Sequence, residues 1–255
     1  MFLENILKFK LYNKHKMNKI NYGFDAPAIM RNLMIFGIVI PIIGFAIPYF
    51  IQNTIINYIS YIIILIGFIL FVLGFSMYFY GIKGKFLMRD FMLKKIDWKG
   101  NENVLDIGAG TGLLMNGVAK FLTTGKSIGI DIWRAEDLSD NTIENAIRNA
   151  ELENVKDKIE IKTEDARQLS FADNTFDVVV SMFCIHNIDV IKEQEKACFE
   201  IARVLKQNGT ALIGDYIPTH QYAKYFAKAG LKVISSKNYI STAYTLMWMV
   251  EAKKI

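Results

Sequence analysis

The chain has 255 residues, 52% of them hydrophobic, and a formal net charge of +5. Two cysteines exclude a disulfide-stapled secreted scaffold, and His15, His186 and His220 are scattered with no metal-ligand spacing, so no metal site is expected. The positive charge is confined to the first hundred residues, and residues 100–255 carry a net −3, which argues against a nucleic-acid-binding face there.

Residues 1–32 read as a basic interfacial segment with Lys8, Lys10, Lys14, Lys16, Lys19 and Arg31 against Glu4 and Asp25. Within it, Asn21-Tyr-Gly-Phe-Asp-Ala-Pro27 admits two readings. One is an interfacial turn with Pro27 starting a helix; the other is a lid or substrate-facing lip near a bilayer. From Asn32 to Ile82 there is no Lys, Arg, Asp, Glu or His. The apolar runs 33–51 and 58–82, separated by Gln52-Asn53-Thr54, are each long enough to cross a hydrocarbon core of about 30 Å. Tyrosines gather towards the ends of the runs, where aromatic belts form, and Pro41 and Pro48 are expected to kink the first helix. Residues 83–99 again carry net +4, and the turn between the runs carries no charge. The positive-inside rule then predicts a multi-pass cell-membrane protein with the N-terminus and the C-terminal domain cytoplasmic, and the lipid bilayer as a partner. Phe86 to Ile96 has the pattern of an amphipathic helix within a linker over 83–99.

Residues 100–255 alternate strand and helix periods, the sign of a parallel α/β sheet. Strands are expected at 103–106, 127–131, 159–163, 176–182 and 210–215, with a closing antiparallel pair over 231–240 and 242–252. Helices are expected over 112–121, from Ile143 to Ala150 with Ser139 or Asp140 as N-cap, over 190–205, and over 221–229. The first strand runs into Val104-Leu-Asp-Ile-Gly-Ala-Gly-Thr-Gly112. Glycines at alternate positions leave room for a ligand against the backbone, and the turn's N–H groups are expected to point into that room. A dinucleotide fingerprint would need glycine where Leu113 stands, which disfavours an NAD-dependent oxidoreductase.

The D-x-G-x-G-x-G spacing on Asp106, Gly108, Gly110 and Gly112 resembles the first motif of class I S-adenosylmethionine-dependent methyltransferases. Four further blocks are similar to that family: Gly129-Ile-Asp131, Glu164-Asp-Ala-Arg-Gln-Leu169, Phe176-Asp-Val-Val-Val-Ser181, and Glu200-Ile-Ala-Arg-Val-Leu205 with Asn208-Gly209. The last departs from the family pattern, with Gln207 and Asn208 in place of proline and glycine. The likeness is to the ubiquinone/menaquinone-methyltransferase-like branch, in which the N-terminal hairpin is not a common feature. It implies a Rossmann-like seven-stranded methyltransferase sheet, here preceded by an all-α transmembrane hairpin.

The same resemblance implies S-adenosylmethionine as cofactor. Asp106, Gly108, Ala109, Gly110, Gly112 and Ser181 would lie around it, Asp131 on the ribose hydroxyls, and Ile132 on adenine. Asp165 and the backbone N–H of Ala166 would meet the adenine edge. The loop Met182–Asn187 would pass the reactive methyl, which makes His186 the candidate base and Asp215 a second, weaker catalytic candidate. The expected activity is methyl transfer to a membrane-associated or small-molecule acceptor, a lipid or prenylated phenol being favoured. A non-catalytic membrane-tethered sensor or scaffold is the alternative.

Overall fold

The computed structural model describes residues 19–255; the basic positions before Lys19, and His15, lie outside the described residues. Helix α1 spans Pro27–Phe50, with Pro27 in its first turn, and α2 spans Thr54–Phe79. Both start before the apolar runs proper, α1 because Pro27 fixes a helical φ and α2 because Asn53 caps it. The Asn53 Oδ1 accepts from the N–H groups of Ile55 and Ile56 at 2.9 and 3.3 Å.

Each helix is long and apolar enough to cross a membrane, and only 11% of its most apolar window is buried. A core helix of a soluble domain would hide its apolar side chains; here Phe36, Phe45 and Phe68 are more than half exposed. The two helices pack closely through small residues: a Cβ on Gly37 would sit 2.5 Å from the backbone of Phe71.

Helix α2 does not stop at the end of its apolar run. A single π turn over Tyr80–Gly84 carries it into α3, Lys85–Leu93, so that one helix runs from Thr54 to Leu93. The amphipathic pattern of this region is spent on the domain itself. Met88, Met92 and Leu93 are buried against Val104, Val178, Val180 and Leu212 on one face of the sheet.

The sheet has seven strands in the order β3-β2-β1-β4-β5-β7-β6. They are β1 Asn103–Ile107, β2 Lys126–Asp131, β3 Ile159–Thr163, β4 Phe176–Met182, β5 Leu205–Asp215, β6 Leu231–Asn238 and β7 Trp248–Lys254. Neighbours are parallel from β3 through β5, while β7 runs antiparallel to β5 and β6. Strand order reverses between β1 and β4, which opens a crevice at their carboxyl ends. Helices α4 Leu113–Ala119, α5 Ile143–Leu152, α6 Ile191–Val204 and α7 His220–Lys228 connect the strands. On the face opposite α3, a larger core gathers Leu105, Ile107, Val179, Ile201, Ile213 and Phe226.

Three local expectations are corrected. The N-cap of α5 is Thr142, whose Oγ1 accepts from Asn145 N–H at 3.2 Å. Ser139 is unavailable because its Oγ accepts from Phe24 N–H at 2.7 Å. Strand β5 begins at Leu205 and passes Asn208 in a left-handed conformation, where a strand was expected only over 210–215. Residues 242–247 are not strand. A short helix, α8 Ile240–Ala243, and a left-handed Tyr244 interrupt them, and they receive the end of the hairpin: Tyr244 packs edge-on to Phe79, and the Thr245 hydroxyl lies 3.3 Å from that of Ser76.

Candidate functional site

The crevice at the strand carboxyl ends holds a cleft of about 700 Å³ counted to its open mouth, within the usual range of small-molecule sites. Gly108, Gly110, Asp131, Ile132, Asp165 and Ala166 line it, together with Asp25, Leu138, Asn141, Met182, Phe183 and Cys184. A second, smaller cavity adjoins it and is lined by Asp106, Ala109, Lys85, Tyr22 and Tyr80. It shares Asp25, Gly108, Gly110, Leu138 and Met182 with the first.

The glycine turn is held by its own N–H groups rather than offering them all to the cleft. Those of Gly108 and Ala109 donate to Ile130 O at 2.9 Å, and that of Gly110 donates to Asp131 Oδ2 at 2.8 Å. The missing side chains make room here for the chain's own residues. A Cβ on Gly108 would fall 2.4 Å from Cys184, and one on Gly110 would fall 2.6 Å from Leu138. Gly112 lines neither cavity. With φ of +91° it starts α4 in a conformation that favours glycine. Ser181 is also outside both: it is fully buried, and its hydroxyl donates to Ile107 O at 2.8 Å, tying β4 to β1.

Asp131 ends β2 at the cleft, and its carboxylate braces two loops. Besides Gly110, it accepts from Trp133 N–H at 2.6 Å, with Asn141 Nδ2 at 3.5 Å. Ile132 is half exposed at the mouth, an apolar surface for a flat ring. Asp165 lines the cleft, but its carboxylate is forked by Arg167, which holds it below the usual carboxylate range.

Asp106 is the most unusual group. Its Oδ2 accepts from Met115 N–H at 2.9 Å, while its Oδ1, fully buried, has no partner. Burial pushes its carboxyl up to about 7. An unpaired buried carboxylate oxygen facing a cavity calls for a cationic donor. The ammonium of an amino-acid ligand fits that need, and a carboxylate at Asp131 beside the apolar rim at Ile132 suits a nucleoside. Together they fit S-adenosylmethionine.

His186 lines neither cavity. Its ring is edge-on to Tyr216 at 4.5 Å between centroids, and Nδ1 lies 2.5 Å from Asp215 Oδ1. Asp215 is fully buried and already accepts from the Tyr222 hydroxyl and from the N–H groups of His186 and Tyr216 at 3.0, 3.1 and 2.8 Å. The pair has the geometry of a brace for the loop after β4.

Asp25, Lys85, Leu138 and Asn141 were not among the expected site residues. Asp25 and Lys85 come from outside the sheet domain. The segment Asn21–Ala26 lies along the loop after β2: Asp25 pairs with Leu138 in an antiparallel bridge, Ala26 N–H donates to Asp137 O at 2.8 Å, and Ser139 N–H donates to Phe24 O at 3.0 Å. Lys85, almost wholly buried, donates from Nζ to Tyr22 O at 2.8 Å and to Gly23 O. Pro27 starts α1, as the turn reading has it, and the segment before it also walls the cleft through Asp25. The sequence signal was only a lone acid two residues ahead of Pro27 in a basic stretch.

Residues 105–213 match a sequence model described as a methyltransferase domain. A sterol 4-C-methyltransferase of Caenorhabditis elegans is 32% identical over 133 residues, covering 51% of this chain and 36% of the relative. A demethylmenaquinone methyltransferase of Lactobacillus johnsonii is 32% identical over 123 residues, covering 48% of this chain and 46% of the relative. The chain thus matches less than half the length of these relatives. Among solved structures, a SAM-dependent methyltransferase from Aquifex aeolicus aligns with a TM-score of 0.52 at 20% identity, over 66% of this chain and 89% of that one; this likeness shows the fold.

Proposed function

We propose, for a chain that belongs to the class I S-adenosylmethionine-dependent methyltransferases through residues 105–213, that it methylates an acceptor at the cytoplasmic face of a membrane to which it is anchored. The observation that carries the reading is the continuity of the cleft with the hairpin. Asp25 and Leu138 form one wall, and α1 begins two residues later; Lys85 pins that wall from the helix that continues α2. A site tethered this closely sees a lipophilic acceptor at high effective concentration. The basic residues flanking both apolar runs support a cytoplasmic placement of both ends. The names of the two relatives point to sterol and menaquinone-type acceptors, so a lipid or prenylated phenol is the favoured class.

S-adenosylmethionine would be held by Asp106 at its ammonium, Asp131 at its ribose hydroxyls, and Ile132 and Ala166 around its base. When bound, its sulfonium supplies an already activated methyl group. The chain's contribution is then orientation and exclusion of water, which can supply a large share of the rate. The glycine turn lets the ligand approach β1 and β4, Phe183 and Met182 close the inner end, and the lid covers the top. The test is untargeted. Membranes are incubated with methyl-labelled S-adenosylmethionine and the full chain, and label is sought in the lipid extract. Label confined to soluble metabolites would overturn the membrane-acceptor reading.

A further inference from the structure

Resting on the methyl-transfer reading, we propose that Asp25, presented by the lid from outside the sheet domain, takes up the proton that the methyl acceptor releases. Asp25 stands at the junction of the two cavities, the only acid lining both among the described residues. The nucleoside end of the cleft is defined by Asp131 and Asp165, and the end walled by Asp25, Met182 and Phe183 is left for the acceptor.

The backbone that carries Asp25 is fixed from three sides: by the bridge to Leu138, by the Ala26–Asp137 hydrogen bond, and by Lys85 on the carbonyls of Tyr22 and Gly23. Ala26, the next residue, is held at a φ of +42°, a conformation that costs energy for any residue with a side chain. Such strain is retained where the surroundings impose it. The side chain so positioned has little to do in the fold. Among the described residues, the hydrogen bond its carboxylate accepts comes from its own backbone N–H, and its charge is felt by Lys85, His186 and Tyr80 without an ion pair forming. Burial raises its proton affinity above that of an ordinary aspartate, opposed by the charges of Lys85 and His186.

The step balances as follows. The acceptor's oxygen or nitrogen bonds to the methyl carbon while the carbon–sulfur bond breaks and its electron pair stays on sulfur. The O–H or N–H proton passes to a carboxylate oxygen of Asp25, which later returns it to water at the cleft mouth. The acceptors that fit are therefore those whose reacting atom carries a removable proton, reaching the lid from the bilayer surface beside Pro27. His186, held against Asp215 outside both cavities, is spared this role.

The test uses the full chain in vesicles of phosphatidylethanolamine and phosphatidylglycerol doped with a prenylated hydroquinone. Asp25→Asn is expected to lower kcat at least a hundredfold, in the range of lost general-base catalysis, while calorimetric affinity for S-adenosylmethionine stays within about threefold. Asp25→Glu should recover turnover above Asp25→Asn, which also separates lost chemistry from a misfolded lid. Asp25→Asn turning over like the parent would overturn the assignment and leave the methyltransferase reading standing. Loss of cofactor affinity in step with kcat would make Asp25 a binding residue and overturn it too. No S-adenosylhomocysteine from the parent on this or any membrane lipid would overturn both readings.

Discussion

The hairpin and the sheet are both built from apolar runs, yet they place those runs in opposite surroundings. Val178 to Val180 in β4 are almost wholly buried, whereas Ile35, Phe45, Ile62 and Phe68 in α1 and α2 show about half or more of their surface. The difference is one of length and covering. A strand of seven residues is sandwiched between helices on both faces, as parallel strands must be. Over most of their length, among the described residues, two helices of 24 and 26 residues pack on each other alone. Hydrophobicity alone does not say what a run is buried in; its length and its partners do.

The sharpest way to break that comparison is a polar substitution in each region. Val179→Asn puts an amide without partners into the core of the sheet and should cost about 3 kcal/mol or more, read as a lowered denaturant midpoint in detergent. Asp131→Ala should weaken S-adenosylmethionine binding by about 2 kcal/mol, some thirtyfold by calorimetry. It should also lower stability modestly, since the carboxylate holds Gly110 and Trp133 in place. Parent-like affinity in a folded Asp131→Ala would displace the cofactor from this cleft.

A pH series sharpens the site further. With its carboxyl near 7 in the free protein, Asp106 must lose a proton to receive an ammonium. Affinity for S-adenosylmethionine should therefore be full above pH 7 and fall by up to about tenfold per unit as pH drops below it. In Asp106→Asn the affinity should be lower throughout and flat over that window. The smallest effect belongs to the hairpin. Phe68→Asn should change stability in detergent by no more than about 0.5 kcal/mol, because its side chain faces outwards, while weakening retention on vesicles. A loss matching that of Val179→Asn would mean that α2 is a soluble core helix.

Much of this was legible in the sequence, for identifiable reasons. β3 and β4 are local patterns with sharp ends, and Asp106 and Asp131 are fixed by strand ends a few residues away. What escaped depends on partners far along the chain. Ser139 is the better cap by residue type, but Phe24, 115 positions away, takes its hydroxyl. Residues 242–247 carry strand-favouring Thr and Tyr, but the end of α2 docks on them. Asp25 reached the cleft only through contacts with Leu138 and Lys85, and no periodicity in residues 21–27 encodes those. Asp165 matched its motif, yet that motif does not encode the fork that Arg167, two residues on, places on its carboxylate.

The π turn at Tyr80–Gly84 sets the angular phase of the whole assembly. From Thr54 to Leu93 the helix is about 60 Å long, so the outer turn, the lid's anchor Lys85 and the sheet-covering Met88 and Met92 are keyed to one shaft. A π turn accommodates one residue more than regular helix would. Removing one residue there would return the turn to regular helix, whereas removing one from the regular helix on either side would turn everything beyond it by about 100° and put Lys85, Met88 and Met92 out of phase with the hairpin. The pocket's wall and the apolar hairpin are in this way cut to the same thread, and neither can be re-indexed without stripping the other.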